Sequence, residues 1–291
     1  MKQLRQITVI GLGLLGASIT LAVLRRLKGV KSIGYSHRAV TRQKARRLRV
    51  AKEVVDDIRQ SVARAEIVIL ASPVRTFEEI FSQIADSLPC DCIVTDVGST
   101  KQEAHKWAQR ILPKTVYYVG SHPIAGSEQR GLEFARADLF NDAICILTKT
   151  KGTKPQALKT LSKFWSSLGC KVKVMQPGRH DRILANVSHL PHVTVAALIN
   201  ANLPEELKFA GRGFIDTSRI ASGPANVWTD VLLTNSANIT KGIDKMVREL
   251  TKLKEAMNKR DAKRLCMLLE QAKKRRAALL KYKKENEEMK Q

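Results

Sequence analysis

From residue 7 to residue 175 the chain alternates short apolar runs with stretches whose apolar positions recur at helical spacing. The run at 67–71 (IVILA) is apolar throughout, the pattern of a strand buried on both faces. The segments 7–10, 31–35, 92–96 and 116–119 read as companion strands. Between them, 14–27, 40–49, 77–88 and 101–111 carry helical spacing. Alternation of this kind predicts an α/β fold built on a doubly wound parallel sheet. The segments 143–147 and 171–174 read as further strands that extend this sheet at its edge.

The pattern changes after Pro177-Gly178. Strand-like runs give way to long helical patterns at 181–201, 227–248 and 256–284, with Gly211, Gly213, Gly223 and Pro224 marking an irregular segment among them. This predicts two domains, an α/β domain over 1–175 and an all-helical domain over 176–291. Leu265, Leu268, Leu269, Ala272, Leu279 and Leu280 give the last helix an apolar face suited to a core or to a dimer seam.

Composition narrows the class. At 291 residues and 44% hydrophobic content the chain can bury a sizeable core. No apolar run approaches the roughly 20 residues of a membrane span, and the N-terminus lacks a signal-peptide pattern, so a cytoplasmic protein is expected. Five cysteines, an odd count with Cys90 and Cys92 lacking a second pair, argue against both a disulfide framework and a zinc site. The net charge of +24 favours anionic partners. It keeps a basic nucleic-acid-binding protein as an alternative class, although aromatics are only 5% and no nucleic-acid-binding motif appears.

The first strand runs into Gly11-Leu12-Gly13-Leu14-Leu15-Gly16 at the start of a helix. That context marks a dinucleotide site of the Rossmann type. Gly11 serves a tight turn, Gly13 admits a pyrophosphate close to the backbone, and Gly16 lets helix and strand pack closely. The helix start at Leu14 and Leu15 offers unsatisfied amides and a positive dipole end to the phosphates. At the end of the second strand, about 20 residues on, an acid would hydrogen-bond the ribose of NAD. Here stand Ser36, His37 and Arg38, with Arg42 a helical turn beyond and no acid close by in sequence, which favours NADP over NAD. Ser72-Pro73 follows another strand end and belongs to the same cofactor edge.

Two further strand ends carry chemistry. Ser99 precedes a helix within Asp96-Val97-Gly98-Ser99-Thr100-Lys101, where it suits a helix cap as well as a site. His122 lies in the small-residue stretch 120–128 (GSHPIAGSE), read as a tight loop. A neutral imidazole at this edge can accept an alcohol proton while hydride leaves to a nicotinamide. His189 and His192 are three residues apart, but no third metal ligand is evident. His180-Asp181 reads as a helix cap.

The motifs DVGSTK at 96–101, GSHPIAGSE at 120–128, VSHLPH at 187–192 and GFIDTSRIA at 213–221 occur in the order and spacing of the prephenate/arogenate dehydrogenase family, which the chain resembles over nearly its whole length. The resemblance implies oxidative decarboxylation of prephenate to 4-hydroxyphenylpyruvate on the route to tyrosine, with arogenate as the alternative substrate, and a homodimer formed through the C-terminal helices. It implies that His122 is the base or hydrogen-bond acceptor for the ring hydroxyl and that Ser99 holds or orients the same group. His192 would contact the substrate, supported by Ser188, and Arg219 would pair with a substrate carboxylate unless Asp216 engages it. Glu128 would gate access or tune charge near His122. The family's acidic residue at the cofactor-specificity position is missing here. A regulatory ACT domain and a chorismate-mutase segment are not expected, which points to a stand-alone dehydrogenase. Another alcohol or imine reductase of the same two-domain build remains a further alternative.

Overall fold

In the computed structural model, residues 4–125 and 131–288 are described. The strands are β1 (Gln6–Ile10), β2 (Lys31–Tyr35), β3 (Glu53–Val54), β4 (Ile67–Leu70), β5 (Ile93–Asp96), β6 (Tyr117–Tyr118), β7 (Gly120–Ile124), β8 (Ile144–Thr148) and β9 (Lys171–Met175). The helices are α1 (Leu14–Arg26), α2 (Ala39–Arg47), α3 (Ile58–Val62), α4 (Phe77–Ile84), α5 (Gln102–Ile111), α6 (Pro155–Ser167), α7 (Pro177–Leu184), α8 (Leu190–Asn200), α9 (Pro204–Leu207), α10 (Arg212–Ser218), α11 (Ala225–Thr234), α12 (Ser236–Asn258) and α13 (Ala262–Glu288). The chain forms two compact units, Met1–Ile239 and Thr240–Gln291.

The main sheet is parallel throughout, in the order β3-β2-β1-β4-β5-β6. Every residue of β4 and β5 is buried, as is all of β1 beyond Gln6. One face packs Ile7, Val9, Ile67 and Ile69 against Ile19 and Val23 of α1 and Phe164 and Trp165 of α6. The other packs Ile10, Val68, Leu70 and Val94 against Phe77, Phe81 and Ile84 of α4 and Ala104 and Ala108 of α5. This is the predicted doubly wound α/β architecture. The order reverses between β1 and β4, so their carboxyl ends open the crevice where such sheets take ligands.

The predicted edge strands do not extend this sheet. β8 and β9 form a separate three-stranded sheet with β7, antiparallel across β7–β8 and parallel across β8–β9. The reason is β7. The stretch read as a loop from residue 120 is a strand as far as Ile124, and it takes the backbone partners of β8. β7 is fixed beside β5 by side chains. The Thr95 and Ser121 hydroxyls are 2.6 Å apart, and the buried Trp165 indole donates to Ser121 Oγ at 3.0 Å.

The helical part also differs in detail from its pattern. The stretch read as one helix over 181–201 begins earlier, at Pro177, and runs through a π-helical turn, Ala185–His189, between α7 and α8. Contrary to expectation, Pro177–Asn200 is long and apolar enough to cross a membrane by length and composition alone. It buries His180, Asp181, His189 and His192. The helix expected over 227–248 is broken at Asn235, whose backbone leaves helical geometry. In the second unit, Arg260 adopts a left-handed φ of 49° at the turn between α12 and α13, and Asp261 Oδ1 then accepts the Arg264 amide at 2.9 Å to start α13.

Candidate active site

The cofactor edge is built as its glycines suggest. Gly11 has a φ of +103°, and its amide donates to the Tyr35 carbonyl at 2.8 Å. A Cβ on Gly11 would lie 2.5 Å from the Ala71 carbonyl oxygen, and one on Gly16 would lie 1.8 Å from the Gly11 carbonyl oxygen. Above Gly13 there is open space within 4 Å. Gly13 stands at the N-terminus of α1, followed by Leu14 and Leu15. Close packing beneath and room above, at a helix N-terminus, fit a dinucleotide pyrophosphate. Ser72 and Pro73 come to the same edge from the end of β4, where the Ser72 hydroxyl lies 2.8 Å from Thr76 Oγ1.

At the end of β2 the structure adds a residue that local sequence reading missed. Asp56, from the turn after β3, accepts from Arg42 Nε and from Arg46 Nη2, each at 2.6 Å. The Arg42 hydrogen bond first, and then that of Arg46, hold the Asp56 carboxyl below its usual range. An acid therefore stands close by after all, against the expectation. Arg42 Nη1 is also occupied, by the carbonyls of Ser36 at 2.7 Å and His37 at 3.0 Å. Ser36 is buried, while His37 and Arg38 are exposed.

His122 is half-buried on β7. Its Nδ1 lies 2.9 Å from His180 Nε2, and His180 Nδ1 lies 2.8 Å from Asp181 Oδ1. Asp181 accepts the Lys101 amide at Oδ1 and the Gln102 amide at Oδ2, both at 2.8 Å. His180 and Asp181 thus sit inside α7, and Asp181 caps a different helix, α5. The Ser99 hydroxyl is not the cap that its position before α5 suggested. Ser99 is half-buried in the loop between β5 and that cap.

Beneath this row lies a fully buried ion pair between Lys101 Nζ and Asp96 Oδ1. Asp96 also accepts the Gly98 amide at 2.7 Å and the Tyr118 hydroxyl at 2.6 Å. The loop carrying Ser99 is therefore held from both ends. Loss of solvent, and then the nearby His180, Lys101 and His189, push His122 well below the usual imidazole value. Burial lowers His180 too, against the raising effect of Asp181. Burial pushes Asp181 up, but hydrogen bonds from His180 and from the Gln102 and Lys101 amides outweigh it and hold the carboxyl low. At neutral pH both rings are neutral and Asp181 is charged.

His192, on α8, lies flat on the Trp228 indole of α11, with centroids 3.6 Å apart. Trp228, unread in the sequence, orients the ring, while Ser188 is half-buried on the π-helical turn. His189 Nδ1 faces the Asn235 side-chain amide at 3.1 Å. His189 Nε2 and His192 Nδ1 are buried without a hydrogen-bond partner. Two orphaned ring nitrogens on one helical stretch suit a polar ligand. Arg219, with Ile199, Ile215, Asp216, Ser218 and Ser222, lines an open cavity of about 410 Å³. Gly223, four residues beyond Arg219, packs against the His192 ring: a Cβ there would lie 3.2 Å from His192 Cε1. Glu128 lies outside the described residues.

Residues 19–174 match the nucleotide-binding domain of prephenate dehydrogenase, and residues 176–271 match the prephenate dehydrogenase dimerization domain. The prephenate dehydrogenase of Bacillus subtilis is 34% identical, over 94% of this chain and 76% of its own. A crystal structure of Aquifex aeolicus prephenate dehydrogenase with hydroxyphenyl propionate and NAD+ superposes with a TM-score of 0.88, at 33% identity over 95% of this chain and 98% of that one. Synechocystis arogenate dehydrogenase gives a TM-score of 0.81 at 30% identity, over 94% and 99%. With the glycine cradle at the crevice of the main sheet and a neutral histidine on β7 of the neighbouring sheet, these matches establish that the chain belongs to the prephenate dehydrogenase family and is a nucleotide-binding dehydrogenase.

Proposed function

We propose that this enzyme oxidatively decarboxylates prephenate to 4-hydroxyphenylpyruvate for tyrosine synthesis, with His122 as the base. The observation that carries the reading is the neutral His122 ring, held at Nδ1 by His180. With Nδ1 engaged, Nε2 is the nitrogen that meets the substrate in this reading. A bound NAD or NADP would supply the hydride acceptor. As hydride leaves the carbinol carbon, His122 Nε2 takes the hydroxyl proton. The bond to the ring carboxylate then breaks, carbon dioxide departs, and its electron pair makes the ring aromatic. The phenolate oxygen reclaims a proton.

Ser99 orients the hydroxyl. His192 contacts the substrate from its stack on Trp228, its orientation supported by Ser188, and Arg219 pairs with a carboxylate through its planar fork. Glu128 gates access or tunes the charge near His122. Two substrate carboxylates would favour the imidazolium that forms on His122. Residues 1–175 hold the dinucleotide through Gly11, Gly13, Leu14, Leu15, Gly16, Ser72 and Pro73. Residues 176–291 supply the substrate side and a homodimer contact, for which the exposed Leu250, Met267, Leu269, Leu279 and Leu280 offer apolar surface. NADP is the favoured cofactor, with Ser36, His37 and above all the exposed Arg38 at its 2′-phosphate. Location in the cytoplasm goes with this role.

Arogenate is the competing substrate, since the ring chemistry is the same. The test is turnover of purified protein with prephenate or arogenate and NAD or NADP, followed by absorbance of the reduced nicotinamide. Prephenate with NADP is expected to be the best pair. No turnover with any of the four pairs contradicts the reading.

A further inference from the structure

We infer that Asp181 is a positioning residue that fixes which nitrogen of His122 is basic and locks that choice to the loop carrying Ser99. This rests on His122 being the base. Asp181 is buried, charged and already accepts two backbone amides at 2.8 Å. A bare Nδ1 on His180, 2.8 Å from that carboxylate, would set lone pair against anion, so Nδ1 of His180 carries the proton. A neutral His180 then has a bare Nε2. His122 Nδ1, 2.9 Å from it, must donate, and His122 Nε2 is left bare. The carboxylate thus determines the tautomer of a ring it does not touch.

The same oxygens join two parts of the site. Through the Lys101 and Gln102 amides, Asp181 holds the start of α5, and hence the end of the loop with Ser99. Its backbone carbonyl accepts the Asn235 side-chain amide at 2.8 Å, and that amide also faces His189 at 3.1 Å. One residue therefore sets the register of the base, the loop of the hydroxyl-orienting serine and the helical turn carrying His189. An asparagine at 181 has one accepting oxygen for three donors, and its own N–H group would face a donor.

The test uses the full-length protein with ring-15N histidine, alone and with NAD+. Two-bond proton–nitrogen spectra near pH 7.5 separate bare from protonated ring nitrogens, and His122→Asn and His180→Gln assign the signals. The wild-type protein is expected to show protonated Nδ1 and bare Nε2 on both His122 and His180. Asp181→Asn should lose this preference and cut kcat about a hundredfold or more, with the Kd for the dinucleotide changed less than about threefold. A protonated Nε2 on wild-type His122 overturns the inference, as does an Asp181→Asn protein with unaltered tautomers and turnover. The wild-type spectrum decides the matter even if Asp181→Asn does not fold. It is also independent of turnover: a wild-type protein inactive on both substrates contradicts the proposed reaction, whereas the spectrum alone judges the role of Asp181.

Discussion

The imidazole of His192 and the indole of Trp228 are stacked 3.6 Å apart with their planes 8° from parallel. Gly223 closes over the pair, and a Cβ there would lie 2.2 Å from Trp228 Nε1. Trp228 is thus the surface that holds His192 flat. Replacing it with leucine keeps an apolar neighbour but loses the plane. Trp228→Leu should raise KM for the substrate about tenfold, with kcat changed less. Steady-state kinetics check this, and an unchanged KM would show that the stack does not position His192.

Arg219 lines the open cavity four residues before Gly223, where a Cβ would lie 3.2 Å from His192 Cε1. A guanidinium there can hold a substrate carboxylate at two points. Arg219→Ala should raise KM by at least about tenfold, and Arg219→Lys should restore only part of the loss. A KM unaffected by Arg219→Ala would remove this residue from the substrate contacts.

Arg42 is committed to Asp56 and to the Ser36 and His37 carbonyls, which leaves the exposed Arg38 as the cation for a 2′-phosphate. Arg38→Ala should weaken NADP by about tenfold and NAD by much less, because only NADP carries the extra anion. Fluorescence titration with both dinucleotides measures the ratio. Equal losses would mean that Arg38 meets a group common to both.

Burial pushes both His105 and His189 down to about 4 from an ordinary 6.5. Between those values the unfolded chain binds protons that the folded chain does not. Stability is therefore fully present above about 6.5 and is lost as pH falls towards about 4, with a slope near 1.4 kcal/mol per pH unit for each ring. Tm should fall through this window. His105→Gln, which can keep the contact to Thr148, should make the fall shallower. An identical fall in the variant would place the titration elsewhere.

The sheet and the glycine cradle were legible because their signals are local. Strands β1, β4 and β5 are buried on both faces and read as apolar runs, and Gly11, Gly13 and Gly16 act within one turn. β7 was hidden because Gly120 and Pro123 look like a loop, and only the backbone of β8 makes a strand of them. Helix α6 was passed over although Pro155 at its start and Leu161, Phe164 and Trp165 at helical spacing carried the signal. Asp181 and Asp56 were not legible as partners of the site. The contacts of Asp181 with Lys101 and Gln102 join α7 to α5 across the fold, and Asp56 meets Arg42 only once β3 is in the sheet. Trp228 likewise meets His192 only through the packing of α11 on α8.

If His122 takes the substrate proton, removing its basic nitrogen must cut turnover. His122→Asn keeps a polar amide near the Nδ1 position but no basic nitrogen. The decisive measurement is kcat of this variant beside its Kd for the dinucleotide. A base at His122 should show itself as a fall in kcat of about a hundredfold or more with dinucleotide binding within about threefold of the wild type. Turnover close to that of the wild type would contradict it.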